Sequence, residues 1–523
     1  MRKTSTKDST ASQFYSRRGF IRSCGACAAC MALSPLGLAD TTFNSAVSVK
    51  KLRIRVLYSL HAVVQPGPDW PNVGFDFAPV MEKINRTLAA AFPDMEFIPS
   101  LATGAADALK ITAEDKLNPV DGYIVYQMNC WNQVIQTVAA TGKPVVYADF
   151  QFGGSGGFLV YNASMLNAGK RNVGFVASSS PDDLIAAVSC FRITGKGGTI
   201  NEFVAATDNA RKKATKGFGK YSLKPDNFDV LSPDESVRRF SESRILAVND
   251  QEAKTGEPAI GIPVEYIPFA EVNEAWADAD HDESASVAEK WQKNALNVTD
   301  VTFDTLVNSA AMYLGMKSIL KKHNANAITL NCLGGFYGGH IHAYPCLGFH
   351  ELCNEGLVGG CECDIRSAST MLAFSIMTGG RPGFISDPVI DTSRRQIIYA
   401  HCVAPNKVFG PAGPSNPFRI MTHSEDRNGA SVQSVLPVNY LTTTLEADSK
   451  KKEILFHQAV AIDNDPDDRA CRTKLCADPL GDMEKLFTRW DTWSWHRVTF
   501  YGDLREPVYA LADRMGWKVV EEA

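Results

Sequence analysis

From Lys51 onward, short runs rich in β-branched and aromatic residues alternate with stretches whose apolar residues recur at helical spacing, and this alternation constrains the fold more than any other feature. Leu52 to Leu60 reads as a strand that leads through proline-rich turns into a helical stretch from Phe75 to Phe92. Asp121 to Tyr126 and Lys143 to Tyr147 read as strands flanking a helix from about Cys130 to Thr141. Strand, helix and strand in succession predict a parallel, doubly wound sheet. A polar, basic interval from Thr194 to Lys224, with Arg211, Lys212 and Lys213, reads as a crossover or a domain border. A second α/β pattern follows, with strands at Arg244 to Val248 and Pro263 to Ile267, a long helix from Asp304 to Lys321 and a strand at Ala327 to Leu330.

After Gly379-Gly380-Arg381-Pro382 the helical periodicity fades, and Gly, Pro, Asn, Thr and β-branched residues dominate up to about Ile462. That texture predicts a β-rich part, ending in a strand at Arg497 to Tyr501 and a helix at Pro507 to Met515. The expected fold is therefore α/β: two doubly wound, Rossmann-like α/β domains over 40–200 and 201–378, followed by a β-rich C-terminal domain over 379–523. A chain of 523 residues fits about three domains of roughly 100 to 200 residues each. A cleft is expected where the second meets the third. Gly153-Gly154-Ser155-Gly156-Gly157 lacks both the P-loop lysine and dinucleotide glycine spacing, and reads as a flexible loop.

Charge narrows the function. The chain has 53 Lys and Arg against 58 Asp and Glu, a net −5, and no long basic stripe, which argues against a nucleic-acid binder. No stretch of about 18 charge-free apolar residues appears, so stable membrane insertion is not expected. The first residues read as an address: Ser16-Arg17-Arg18-Gly19-Phe20-Ile21-Arg22 precedes a weakly apolar stretch, Cys24 to Leu36, that closes on Gly37-Leu38-Ala39. This is the order of a twin-arginine signal peptide over 1–39, which would engage the twin-arginine translocation machinery and deliver a folded protein to the periplasm or the extracellular space. Losing six basic residues and one acidic residue with it leaves 47 against 57, a net −10. Export in the folded state suits a protein that takes up a metal first. Ten cysteines remain without Cys-x-x-Cys spacing, and their disulfide pairing is left open.

The segment richest in chemistry runs from Pro345 to Cys402. Glu362 sits in a small, apolar stretch, Gly356 to Ile365, just before a helix from Ser367 to Met377. Asp387 follows in Phe384-Ile385-Ser386-Asp387, and His401 ends a strand at Tyr399-Ala400-His401-Cys402. His496 precedes the last strand, in Trp495-His496-Arg497. Acids and imidazoles in apolar surroundings need a partner, a hydrogen bond or a metal. Alone, Glu362 reads equally as a carboxylate at a helix N-terminus, and His401 as a satisfied core histidine. Together they carry more weight.

The four stand in the order acid, acid, histidine, histidine, with intervals of 25, 14 and 95 residues. The set resembles the L-fucose and L-arabinose isomerase superfamily. The matching motifs are Cys361-Glu362-Cys363-Asp364, Phe384-x-x-Asp387, His401-Cys402, and His496 before a hydrophobic strand ending Gly502-Asp503. The resemblance implies that Glu362, Asp387, His401 and His496 bind a divalent metal, manganese, and that Glu362 and Asp387 also move protons. It implies a metal-dependent aldose–ketose isomerase acting on a small sugar through an enediol, and a homo-oligomer. Such chemistry needs a base on carbon, proton movement between oxygens, and stabilisation of the oxyanion. Two carboxylates and two imidazoles suit manganese.

Three further residues are candidate sugar-binding groups. His340 and His342 alternate in Gly339-His340-Ile341-His342 and would share a face of a strand, while Trp495 could stack on a sugar ring. His350, beside Glu351 on a helix leaving Pro345, is assigned no role. The rival readings are a non-catalytic, exported sugar-binding or sensing protein, and a metal-dependent epimerase or lyase on a modified sugar.

Overall fold

The computed structural model describes residues 51–523 apart from Lys170, so the twin-arginine leader lies outside the described residues. Strands β1 (Leu52–Ser59), β2 (Met95–Ala102), β3 (Gly122–Gln127), β4 (Val145–Asp149) and β5 (Val173–Val176) form one sheet in the order β2-β1-β3-β4-β5, with every pair parallel. Successive side chains of a strand point to opposite faces. On β3, Ile124 accordingly joins a core cluster with Ile84, Leu88 and Leu184, while its neighbours Tyr123 and Val125 join another with Val134, Ile135 and Phe158. Both faces are covered by helices, which is why the strands read as near-continuous apolar runs.

A second sheet holds β6 (Ile245–Asn249), β7 (Lys254–Thr255), β8 (Val264–Pro268), then, beyond a short β9 (Val298–Thr299) that pairs elsewhere, β10 (Ala327–Leu330) and β11 (Val358–Cys361). Its order is β11-β10-β6-β8-β7. Four strands are parallel and the short edge strand β7 is antiparallel, so this sheet is mixed and not purely parallel as the sequence pattern predicts.

The remaining strands are β12 (Phe384–Asp391), β13 (Gln396–His401), β14 (Phe418–Met421), β15 (Ser431–Ser434), β16 (Leu441–Asp448), β17 (Glu453–Asn464), β18 (Thr473–Pro479), β19 (Arg497–Tyr501) and β20 (Lys518–Glu521). Six of them follow one another as β16-β19-β12-β13-β18-β17, and β17 pairs back to β16, which closes an antiparallel barrel. β20 extends it by lying parallel to β17. The β-rich C-terminal part is thus a barrel, a form that removes sheet edges. β14 pairs with β15 and with β9, so a strand from before residue 379 completes a small sheet after it. Residues 51–523 pack as one compact unit.

Two local expectations need correction. The helix expected over Cys130 to Thr141 spans only Val134–Ala139, because Trp131 and Gln133 hold left-handed backbone (φ 62° and 59°) that a helix cannot accommodate. The glycine-rich segment expected as a flexible loop is instead the buried start of the helix Ser155–Asn167. A Cβ on Gly156 would stand 2.6 Å from the Trp495 ring, and one on Gly154 2.0 Å from the Gln127 carbonyl oxygen. These glycines serve close approach.

Candidate metal centre

Four separate pieces of chain supply the centre. Glu362 lies just past β11, at the carboxyl end of a parallel strand, in a turn where it and Cys363 both hold left-handed backbone (φ 61° and 52°). Each such residue costs on the order of 1 to 3 kcal/mol, a strain that recurs at functional sites. Asp387 sits within β12, whose register sets its neighbours: Asp387 pairs with Ala400 on β13, and Ser386 pairs with Arg497 on β19. His401 therefore falls beside it at the end of one flanking strand, and His496 beside it just ahead of the other.

The ligand atoms of Glu362, Asp387, His401 and His496 all lie within 4.8 Å of one another. His496 Nε2 is 2.9 Å from Asp387 Oδ1 and 3.6 Å from Glu362 Oε2, and His401 Nε2 is 3.8 Å from Asp387 Oδ2. Atoms that each sit about 2.1 Å from one ion stand roughly 3 to 4.2 Å apart. The measured contacts match that spread, and the outer limit lies a little beyond it.

The donor set can be tested for fit on its own bonding. His401 Nε2 and Asp387 Oδ1 are buried and have no hydrogen-bond partner among the described residues. Although Asp387 Oδ1 is 2.9 Å from His496 Nε2, the alignment is not that of a hydrogen bond. Orphaned polar atoms are costly in a folded interior, and two of them aimed at one point, among two carboxylates and two imidazoles, fit a divalent cation. Glu362 faces the open side, with 35% of its side chain exposed.

Electrostatics shows the same need for positive charge. Burial works to lower His496, but the Glu362 and Asp387 charges, and the hydrogen bond its ring makes to the Asp364 carboxylate, raise it well above the ordinary imidazole value. Burial raises the Glu362 carboxyl, helped by Asp387 against the pull of His496. For Asp387, burial acts upward, yet the neighbouring His496 and His401 hold it below its usual range. Two carboxylates packed this closely, one of them fully enclosed, call for positive charge nearby, and a bound cation would supply it.

Asp364 fixes the geometry behind the centre. It is the N-cap of the helix Ile365–Met377, accepting from Ser367 N at 3.1 Å, and its Oδ2 is 2.8 Å from His496 Nδ1. Burial opposes ionisation, but the His496 bond and the Ser367 bonds bring its carboxyl down to about 2. His496 is thereby held with Nε2 toward the carboxylates, the arrangement that orients ligating histidines. Asp364→Asn is expected to weaken Mn2+ binding by about 10- to 100-fold, measured by calorimetric titration. Unchanged affinity would leave Asp364 as a helix cap alone.

The other sequence candidates divide. Trp495 is half-buried beside His496; its Nε1 donates to Pro388 O at 3.3 Å, and its ring packs edge-on against Trp70 and Trp131, with centroids 5.2 and 5.9 Å away. His340 and His342 are exposed and lie in a loop, not in a strand; His340 stacks on Phe269, His342 lies tilted against Trp276, and neither joins the contacts above. His350 is buried, with Nδ1 2.7 Å from Ala404 O and Nε2 3.1 Å from Asn354 Nδ2, a satisfied core histidine.

One residue near the centre carries no sequence signal at all. Glu425 lies in the loop between β14 and β15, accepts from Tyr337 OH at 3.1 Å, and is tied to the first part of the chain by Val73 N donating to its carbonyl at 2.7 Å. Burial pushes its carboxyl up to about 8; His423 opposes this, and the Asp69 and Glu362 charges add to it.

No protein-family model matches the chain. Among curated proteins, sulfoquinovose isomerases from Priestia aryabhattai and Priestia megaterium are each 23% identical over 199 residues, covering 38% of this chain and 43% of theirs. A sulfoquinovose isomerase from Alkalicoccus urumqiensis is 26% identical over 118 residues, covering 22% of this chain and 26% of its own. The chain thus matches less than half the length of these relatives. Among solved structures, a carbohydrate transporter from Acidothermus cellulolyticus 11B in complex with myo-inositol aligns at 11% identity over 56% of this chain and 79% of that one, with a TM-score of 0.17, too low to carry a structural argument. The relationship these matches fit is a distant one to sugar isomerases.

Proposed function

We propose that this protein is a divalent-cation-dependent aldose–ketose isomerase acting on a small sugar. The observation that carries the reading is the convergence of Glu362, Asp387, His401 and His496, from four separate stretches of chain, with two buried ligand atoms left unpartnered. The partial match to proteins named sulfoquinovose isomerase supports it from an independent side.

In this reading the four residues hold the cation, manganese by the mix of carboxylate and imidazole donors. When bound, the cation supplies charge stabilisation for the oxyanion that develops as the sugar enolises. Glu362, the ligand on the open side, takes the proton from the carbon next to the carbonyl and returns it to the neighbouring carbon. Asp387, deeper and enclosed, would supply the second carboxylate to the cation, while Asp364 orients His496. Trp495 offers an apolar face for the sugar's C–H bonds. The leader 1–39 would carry the folded protein through the twin-arginine machinery to the periplasm or beyond, and the working form would be a homo-oligomer with domains bounded at 200/201 and 378/379.

The test is turnover of a panel of pentoses, hexoses, deoxyhexoses and sulfoquinovose by the Mn2+-loaded protein. At least one sugar is expected to isomerise, with activity lost to a chelator and restored by Mn2+. Tight sugar binding without conversion of any sugar would favour a sugar-binding protein instead.

A further inference from the structure

Glu425 is a carboxyl that the ligand set does not use, and it is held by pieces of chain that pack against residues next to that set. Its own loop is anchored next to the centre: Ser424 Oγ lies 3.4 Å from the Sγ of Cys402, the residue after His401. Tyr337, at the end of the helix Cys332–Tyr337 that follows β10, holds one carboxyl oxygen, Oε2, at 3.1 Å. The segment that follows β1 reaches over to bind the Glu425 carbonyl through Val73 N at 2.7 Å, and Pro71 O on that segment accepts from Ala470 N at 2.9 Å, one residue before Cys471. Cys471 Sγ is in turn 3.8 Å from Asp387 Oδ2. Glu425 is half-buried, and among the described residues no hydrogen bond is made to its other carboxyl oxygen, Oε1. The carboxyl senses the Glu362 and Asp69 charges, and its high affinity for a proton follows from burial first.

We propose that Glu425 is a catalytic residue of the isomerisation, the group that carries the proton between the two sugar oxygens. The proposal rests on the isomerase reading above. As Glu362 takes the proton from C2, the C2–H electron pair becomes the C1–C2 double bond, the carbonyl pair moves onto O1, and O1 takes the proton of Glu425, giving the neutral enediol. The Glu425 carboxylate then removes the proton from O2. The O2–H pair forms the new C2 carbonyl, and the double-bond pair takes the proton back from Glu362 at C1. Both carboxyl groups end as they began, and nothing else is consumed. Division of labour follows from position: Glu362 is the base on carbon, while Glu425 is held by Tyr337 with one oxygen free for the sugar.

The experiment compares wild type, Glu425→Gln and Tyr337→Phe as full-length Mn2+-loaded proteins on whichever sugar the wild type converts. For Glu425→Gln, kcat is expected to fall by about 10²-fold or more with KM changed less than about threefold, since a positioned acid contributes that much. Mn2+ affinity by calorimetry should stay within about threefold of wild type, which separates a proton carrier from a structural support. Tyr337→Phe, which leaves the carboxyl but frees it, should give a smaller fall in kcat of about 5- to 20-fold. Added formate should restore part of the activity of Glu425→Ala and none of that of Glu362→Gln. A Glu425→Gln protein with wild-type kcat, or one that loses Mn2+ and turnover together, overturns the role. If the wild type converts no sugar, the isomerase reading falls and the role falls with it.

Discussion

Glu362→Gln and Asp387→Asn are each expected to lower turnover by at least about 10²-fold while the unfolding midpoint of the metal-free protein stays close to wild type. The substitutions keep shape and remove only charge and proton affinity. Glu362 is strained at φ 61° and about a third exposed, so it contributes little to the core that its loss would expose. Asp387 is enclosed, and its charge is balanced by His496 at 2.9 Å and His401 at 3.8 Å. Replacing it with Asn removes an anion that both imidazoles and a cation would share, so Mn2+ affinity should fall with activity. If the carboxylates served only structure, the outcome would be reversed: a stability loss of about 1 kcal/mol or more with turnover intact.

The second large effect lies inside the barrel. Arg497, fully enclosed on β19, donates to Glu522 at 2.6 to 3.2 Å; Glu522 Oε2 is 2.9 Å from His457 Nδ1, and His457 Nε2 is 2.6 Å from Tyr399 OH. Tyr399 continues the network to Thr444 at 2.9 Å. The Arg497 guanidinium also bonds His496 O at 2.7 Å and Ser494 O at 3.0 Å, so the network braces the strand entry that presents His496. Removing one partner of such a pair strands a buried charge, and Glu522→Ala should cost about 3 to 5 kcal/mol in urea unfolding. Burial opposes the ionised form of Glu522, yet the Arg497 charge and the His457 bond bring it down to about 2. Because the folded value lies below the unfolded value of about 4.3, the stabilisation is complete above that pH and drains away as pH falls toward 2. A Glu522→Ala protein as stable as wild type at pH 7 would show that the barrel tolerates the change.

Much of the element order was legible because periodicity is local. The strands Ala327–Leu330 and Arg497–Tyr501 and the helix ending at Met515 lie where the pattern puts them. The mixed second sheet was not, because the two-residue β7 is too short to show an alternation. Barrel closure depends on β16 meeting β17 on one side and β19 on the other, pairings that no local pattern encodes. The left-handed Trp131 and Gln133 ended a helix that their side chains alone would continue.

At the centre, the four candidate ligands were legible through a motif order that survives long separations. Asp364 could have been found as well, since an acid three residues before Ser367 at the start of an apolar helical run is a capping signature. Glu425 could not, since its place depends on a loop packing against Cys402 and on Tyr337 from a distant helix. His340 and His342 misled because alternation implies a shared face only in a strand, and here they occupy a loop.

The most direct test of the central claim is anomalous diffraction at the manganese edge from crystals of the full-length protein soaked in Mn2+. One strong peak per chain is expected, roughly 2.2 Å from ligand atoms of Glu362, Asp387, His401 and His496. A peak elsewhere, or none among these four residues at saturating Mn2+, would contradict it.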